Sequence, residues 1–169
     1  KGSPFAKVFL DRLEKWEDYL QVCQKVLDMW LKVQGVWLYL EPIFSSEDIM
    51  KQMPKEGAAF KEVDKLWKKW MGKFFDEPEA LKVFGTEGIL GTMNDMNDKL
   101  ELVQKGLNDY LETKRLYFPR FFFLSNDNLL EILSETKDPQ RVQPHLKKAF
   151  EGMNSADFSA DGKITHINS

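Results

Sequence analysis

From Phe5 onward, large apolar residues recur on one side of a helix: Phe5, Phe9, Leu13, Trp16, Leu20, Cys23, Leu27 and Trp30 follow one another at steps of three or four. Acids, lysines and glutamines fill the gaps, so the stretch reads as an amphipathic helix. The pattern runs on through Val33 and Trp37 to Leu40. Pro42 is the expected stop, because proline lacks the amide donor and its ring crowds the preceding turn. A helix of ~35 residues would span about 50 Å. Gly35 could kink it or divide it into two collinear helices. The run Val36-Trp37-Leu38-Tyr39-Leu40 is apolar all round, which predicts burial on most sides.

The pattern predicts further helices. Ser45 or Ser46 can cap a short one over Glu47 to Gln52, closed by Pro54. A second long helix carries Phe60, Val63, Leu66 or Trp67, Trp70 or Met71, and Phe74, and ends before Pro78. A short helix follows from Pro78 to Val83, and Gly85, Gly88 and Gly91 mark a loop. Thr92 is the expected cap of a third long helix, in which Met93, Met96, Leu100, Val103, Leu107 and Tyr110 form a bundle seam reaching about Tyr117. After Pro119, Phe121-Phe122-Phe123-Leu124 reads as a buried extended piece. Ser125 caps a helix through Leu133, Lys137-Asp138-Pro139 is a turn, and a last helix covers about Pro139 to Glu151. The tail, with Asp161-Gly162 between two short runs, reads as a β-hairpin with a type I′ turn. The fold class expected is mainly α: an elongated antiparallel helical bundle with a short C-terminal β-hairpin. No repeat of fixed period is present, which argues against a solenoid.

Composition narrows the function. The 24 Lys and Arg against 27 Asp and Glu give a net charge of −3, so binding nucleic acid by bulk charge is not expected. The single cysteine, Cys23, leaves no internal disulfide and no cysteine-rich zinc site. No run of 18 uncharged apolar residues exists, so no membrane partner is expected. Residues 1–4 lack an apolar signal core behind them and read as a remnant of cloning. Thirteen Phe, five Trp and four Tyr suit a stiff, well-packed body, and also an interface.

No catalytic constellation emerges. The phosphate-loop signature is absent, since Gly72-Lys73 is followed by Phe74 inside a helical pattern. His145 and His166 lie on different elements with no second ligand at metal spacing, and His145 reads as a surface or rim residue. Cys23, on the apolar face of its helix, reads as inert core. Asp157, Ser159, Asp161 and Thr165 imitate the start of a calcium loop, but Asn168 stands where the bidentate Glu belongs, so the hairpin is favoured. No catalytic, metal or cofactor site is therefore expected. Residues 65–75, Lys65 to Phe75, form a basic aromatic helix that could bind calmodulin or a partner helix. The alternative is a bundle helix whose lysine stems cover its rings, and a buried Trp67 and Trp70 would favour it.

Several ordered stretches together resemble the linker region of dynein heavy chains. They are Trp37-Leu38-Tyr39-Leu40-Glu41-Pro42-Ile43-Phe44-Ser45-Ser46, Gly106-Leu107-Asn108-Asp109-Tyr110-Leu111-Glu112, and the region from Arg115 to Gly152. The last includes Phe118-Pro119-Arg120-Phe121-Phe122-Phe123-Leu124-Ser125-Asn126-Asp127 and Val142-Gln143-Pro144-His145-Leu146. The wording around Pro42 and Lys137 is more similar to axonemal than to cytoplasmic heavy chains. The resemblance implies a mechanical lever that arches over a ring of ATPase modules, bends and straightens with nucleotide, and moves the motor along microtubules in a cilium or flagellum. It implies a helical linker body over residues 5–153, and a hairpin over 154–169 that leads towards the first ATPase module. The partner implied is the ATPase ring of the same heavy chain, with microtubules met only through the complete motor and no nucleotide site in this chain. Expected ring-facing candidates are Trp37, Tyr39, Phe121, Phe122 and Phe123, although bundle core is the favoured reading of the three phenylalanines. Glycine placement makes Gly35, Gly85, Gly88 and Gly91 the hinge candidates.

Overall fold

The computed structural model describes residues 2–134 and 139–169. Of the turn expected at 137–139, Lys137 and Asp138 lie outside the described residues. The chain is a helical bundle ending in a two-stranded hairpin. A 3-10 segment, Pro4–Phe9, leads into α1, Leu10–Phe44. Next come α2, Glu47–Gln52, α3, Pro54–Asp76, α4, Ala80–Phe84, and α5, Ile89–Tyr117. A second 3-10 turn, Pro119–Phe123, precedes α6, Asn126–Ser134. A third, Pro139–Val142, precedes α7, Gln143–Ala149. The strands are β1, Ser155–Phe158, and β2, Ile164–Asn168.

Several boundaries differ from expectation, each for a local reason. Pro42 does not stop α1, which continues to Phe44. Its missing N–H removes one hydrogen bond at the helix end, where few remain to be lost. The Ser45 amide and hydroxyl then both donate to the Glu41 carbonyl, at 3.0 and 2.8 Å. Gly35 neither breaks nor splits α1. Thr92 is not a cap: α5 begins at Ile89, and the Thr92 hydroxyl donates back to the Gly88 carbonyl at 3.0 Å. Gly91 accordingly sits in the first turn of α5 rather than in a loop. The predicted Ser125 cap is present, its Oγ accepting from the Asn128 amide at 3.3 Å. Phe121–Phe123 form a 3-10 turn instead of an extended piece, since Pro119 at the first helical position presets φ for a helical start.

The hairpin is antiparallel, pairing Ser155 with Asn168 and Asp157 with His166. Its turn is not type I′, which needs positive φ at both central residues. Among the described residues of the turn only Gly162 has positive φ, at 78°. Its amide donates to the Ser159 carbonyl at 2.9 Å, and the Ser159 amide donates to Lys163 at 2.8 Å. This is a three-residue loop with glycine at the left-handed position.

By internal contacts the chain divides into two compact units. The first is Lys1–Tyr39 with Lys61–Glu101, and the second is Leu40–Phe60 with Leu102–Ser169. In the first unit α1 buries Cys23, Val26 and Val33, α3 buries Val63, Trp67 and Phe74, and α5 buries Met93, Met96 and Leu100. Phe5, Phe9, Trp16, Leu20 and Leu27 were expected on the inner face of α1 but are exposed. The apolar arc of α1 is wider than the strip its neighbours cover, and the covered strip is centred on Val26 and Val33. Leu38 is exposed as well, so the apolar run at 36–40 is not buried on most sides.

Gly85 ends α4 beneath Tyr19, whose hydroxyl donates to the Leu81 carbonyl. A Cβ on Gly85 would fall onto that hydroxyl and sit 2.8 Å from the Leu81 oxygen. Gly85→Ala is therefore expected to cost about 1–2 kcal/mol, measured by urea unfolding, as the hydrogen bond is lost and the turn shifts. In a Tyr19→Phe background the same substitution should cost less. An equal cost would mean Tyr19 is not the obstacle.

In the second unit α1 contributes Leu40 and Phe44, α2 contributes Ile49, and α5 contributes Val103, Leu107 and Leu111. Leu111, not Tyr110, takes the inner place at the end of the predicted seam: Tyr110 is half-buried, its hydroxyl donating to Gln52 Oε1. Phe44 stacks on Phe60 with ring centres 5.3 Å apart. The side-chain amide of Gln143 imitates a strand neighbour: its Oε1 accepts from the Ala156 amide at 3.1 Å, and its Nε2 donates to the Ala156 carbonyl. This pair ties α7 to the hairpin within the unit.

Candidate functional site

The candidate surface residues separate into engaged and free. Trp37 is half-buried in the first unit. Its indole N–H donates to Asp64 Oδ1 at 3.0 Å, its ring lies 6.0 Å from that of Trp67, and Lys68 Nζ stands 5.9 Å above it. A ring held on this many sides serves the packing of α1 against α3, and only its outer edge is free. Tyr39 is half-buried.

The Phe121–Phe123 block in the second unit is divided. Phe121 is half-buried against Phe118, at 4.9 Å between ring centres. Phe122 and Phe123 are 53% and 70% exposed, so the reading of the whole block as core does not hold. A 3-10 turn has about three residues per turn, so a run of three points its side chains in three directions and only one can face inward. Arg120 packs over Phe150 at 4.7 Å and donates to the Ala149 carbonyl at 3.1 Å, which fixes the turn against α7. Arg115 does the same from α5, donating to the Leu124 carbonyl at 3.2 Å and to Asn126 Oδ1 at 2.7 Å.

The basic aromatic segment 65–75 is largely spent on the first unit's own core. Trp67 is 4% exposed and meets Trp30 edge-on at 6.1 Å, and buried Phe74 stacks on Trp30 at 5.0 Å. Trp70 is half-buried against Phe74, with Lys73 Nζ 5.1 Å above its ring. Phe75 alone of these rings is fully out in solvent. Polar contacts surround the same unit. Lys32 Nζ lies 2.7 Å from Glu101, and Lys99 Nζ lies 2.8 Å from Glu62. Glu101 titrates below the ordinary carboxylate value because Lys32 and then Asn97 donate to it, and Glu62 is lowered by Lys99 in the same way.

No group of three or more metal-ligating side chains occurs among the described residues. His145 is not a rim residue: it is 3% exposed, on α7, and its Nε2 lies 3.2 Å from Glu131 Oε2. The approach is off the direction of a ring N–H, and neither nitrogen has a hydrogen-bond partner among the described residues. Helical spacing alone puts His145 on the inner face, three residues after Val142, next to Leu146 and four before Ala149; its polar side chain masked that signal. Cys23 is buried, where its helical position put it. No helix among the described residues is long and apolar enough to cross a membrane.

The hinge candidates differ in room. At Gly35 and Gly91 a would-be Cβ meets no atom within 4 Å beyond the adjoining backbone of its own helix, Gly88 has a φ of +75°, and Gly85 is wedged under Tyr19.

Relatives of this chain are plain. The family model described as "Dynein heavy chain, N-terminal region 2" matches residues 1–169. Mouse dynein axonemal heavy chain 12 is 57% identical over 161 residues, which is 95% of this chain and 5% of that protein. Human dynein axonemal heavy chain 3 is 56% identical over 163 residues, 96% of this chain and 4% of that protein. Mouse dynein axonemal heavy chain 1 is 50% identical over 165 residues, 98% of this chain and 4% of that protein. The chain thus spans about a twentieth of the length of the curated relatives it matches. With the family model covering it from end to end and at least half its aligned residues shared with each of these three, the chain belongs to the dynein heavy chain family, as a segment of their N-terminal region.

Proposed function

We propose that this chain is the mechanical linker, or lever, segment of an axonemal dynein heavy chain. It would carry nucleotide-driven changes of an ATPase ring, located elsewhere in the same heavy chain, into movement along microtubules within a cilium or flagellum. The observation that carries the reading is the match of the whole chain to the dynein heavy chain N-terminal region, with axonemal relatives at 50–57% identity. The physical character of the chain supports it. Helices of 35, 23 and 29 residues, packed within each unit by buried rings and apolar faces, suit an element that carries force along a helix axis. The exposed rings of Phe122 and Phe123 are where such a lever would rest on the ring, with Trp37 and Tyr39 as secondary candidates. Gly35 is the best-placed hinge, since α1 passes through it with open space around it.

The test is microtubule gliding by a complete motor from which this segment is deleted, with ATP hydrolysis assayed in parallel. Lost gliding with hydrolysis retained is the expected result. Gliding at normal speed would end the lever reading. In the same assay Gly35→Ala, which should stabilise the helix by about 0.5–1 kcal/mol, is expected to slow gliding if α1 bends there. The binding-helix reading of residues 65–75 has less to support it, because burial of Trp67 and Phe74 removes two of its anchors.

A further inference from the structure

In the first unit α1 carries two apolar lines, and its neighbours cover one of them. The covered line holds Val26 and Val33. The other holds Trp16, Leu20, Leu27, Leu31 and Leu38, each between 40% and 58% exposed. The steps between them are four, seven, four and seven. With 3.6 residues per turn, a step of four advances by about 40° and a step of seven falls back by about 20°. The five side chains therefore stay within about 60° of one another, and their line is set about 120° round the helix from Val26 and Val33. An eleven-residue repeat drifts only about 20° per repeat, so the line runs nearly along the helix axis, for roughly 33 Å. Phe9, a further step of seven before Trp16 and the last residue of the 3-10 segment, is exposed as well. Together these side chains reach the size of the largest apolar patches on ordinary monomers, about 300–600 Å², which commonly mark interaction sites. The core of the unit does not use this line.

We propose that the line seats a second long helix, supplied by the same heavy chain from outside these 169 residues. The inference rests on membership of the dynein heavy chain family and not on the lever reading. Length argues for this source. The chain is about a twentieth of the relatives it matches, so by far the greater part of a heavy chain is tethered to α1. A short tether holds a segment at an effective concentration in the millimolar range, which a free partner or a second copy has to exceed. The line also prescribes the form of its occupant. It is a helix of about 22 residues or more, nearly parallel or antiparallel to α1, with its own apolar residues at steps of four and seven. A helix crossing at a steep angle would cover only one or two of the five side chains. The competing occupant is a second copy in reverse direction, with Leu20 against Leu27 and Trp16 against Leu31.

The photoreactive residue benzoylphenylalanine is placed at Leu20, or at Leu31, of a complete heavy chain, and the crosslinked peptides are identified by mass spectrometry. Both positions are already in solvent, so neither replacement disturbs the core. The two crosslinks are expected on one continuous segment of the same chain, outside the 169 residues and about eleven residues apart, since both helices rise by the same amount per residue. Leu20→Glu combined with Leu27→Glu should remove most of the crosslink made from Leu31. The same pair should leave the melting temperature of the 169-residue chain unchanged, which shows that the loss is not one of folding. Crosslinks to the line of a second copy, to another polypeptide, or to two unrelated segments would each overturn the proposal. So would the absence of crosslinks, or a Leu31 crosslink that survives the two glutamates.

Discussion

Trp67→Ala should destabilise the first unit by about 3–5 kcal/mol, a large part of the stability of an ordinary domain. The ring is 4% exposed and lies between two other indoles, Trp30 edge-on at 6.1 Å and Trp37 at 6.0 Å. Truncation removes the apolar contact and leaves a space that its neighbours are poorly able to fill. Trp30 is held by Phe74 at 5.0 Å and by Phe84 at 5.8 Å, and Trp37 is held by its bond to Asp64 at 3.0 Å. Collapse into the space would break those arrangements, so the cavity cost is expected near the upper end of its range. The fall in melting temperature should be on the order of 10 °C. Trp67→Phe, which keeps a ring, should lose about half as much or less. Urea unfolding followed by circular dichroism decides the matter; a loss of about 1 kcal/mol or less for Trp67→Ala would show that the cluster repacks freely.

Phe44→Ala should be nearly as costly in the second unit, again about 3–5 kcal/mol. Phe44 is 4% exposed and lies almost parallel to Phe60, at 5.3 Å and 18°. It is also what holds the last turn of α1 in place. Pro42 offers no amide to the Leu38 carbonyl, so the last turn has one helical bond fewer, and the bonds from Ser45 to Glu41 and burial of Phe44 add to those that remain. Without the ring, the turn from Pro42 to Ser45 should fray, visible as faster amide exchange at Ser45. Comparison of Phe44→Ala, Phe60→Ala and the double variant should give a coupling of about 0.5–1.5 kcal/mol for the stacked pair. Additive costs would mean that the rings act as independent apolar volumes.

Both sites show what a linear pattern conveys and what it omits. The three long helices were legible because apolar residues at steps of three and four recur over many turns, and the α5 seam from Met93 to Leu107 is buried as its spacing predicts. Ser125 was legible as a cap because its side chain acts on a backbone amide three residues away. Both signals are local. The errors fall where a local preference competes with packing. Proline weakens a helix locally, yet α1 passes Pro42 because Phe44 lies in the core beyond it. Phe121–Leu124 looked extended and buried, yet it is a 3-10 turn with two of its rings in solvent. For the candidate surface, the sequence treated the three phenylalanines as one block and did not separate half-buried Phe121 from exposed Phe122 and Phe123.

The amino-acid sequence by itself determined the helical class, the lengths and approximate places of the long helices, the terminal hairpin and, through long ordered motifs, membership of the dynein heavy chains. These depend on periodicity, capping and residue order, all of which are properties of neighbours along the chain. Only the tertiary structure decided which part of the broad apolar arc of α1 is covered, that Trp67 belongs to a core rather than to a binding face, and that His145 is buried beside Glu131. Burial is settled by which other surfaces arrive at a given face. Residues such as Trp30 and Trp67 meet although 37 positions separate them, and no spacing along the chain encodes that meeting.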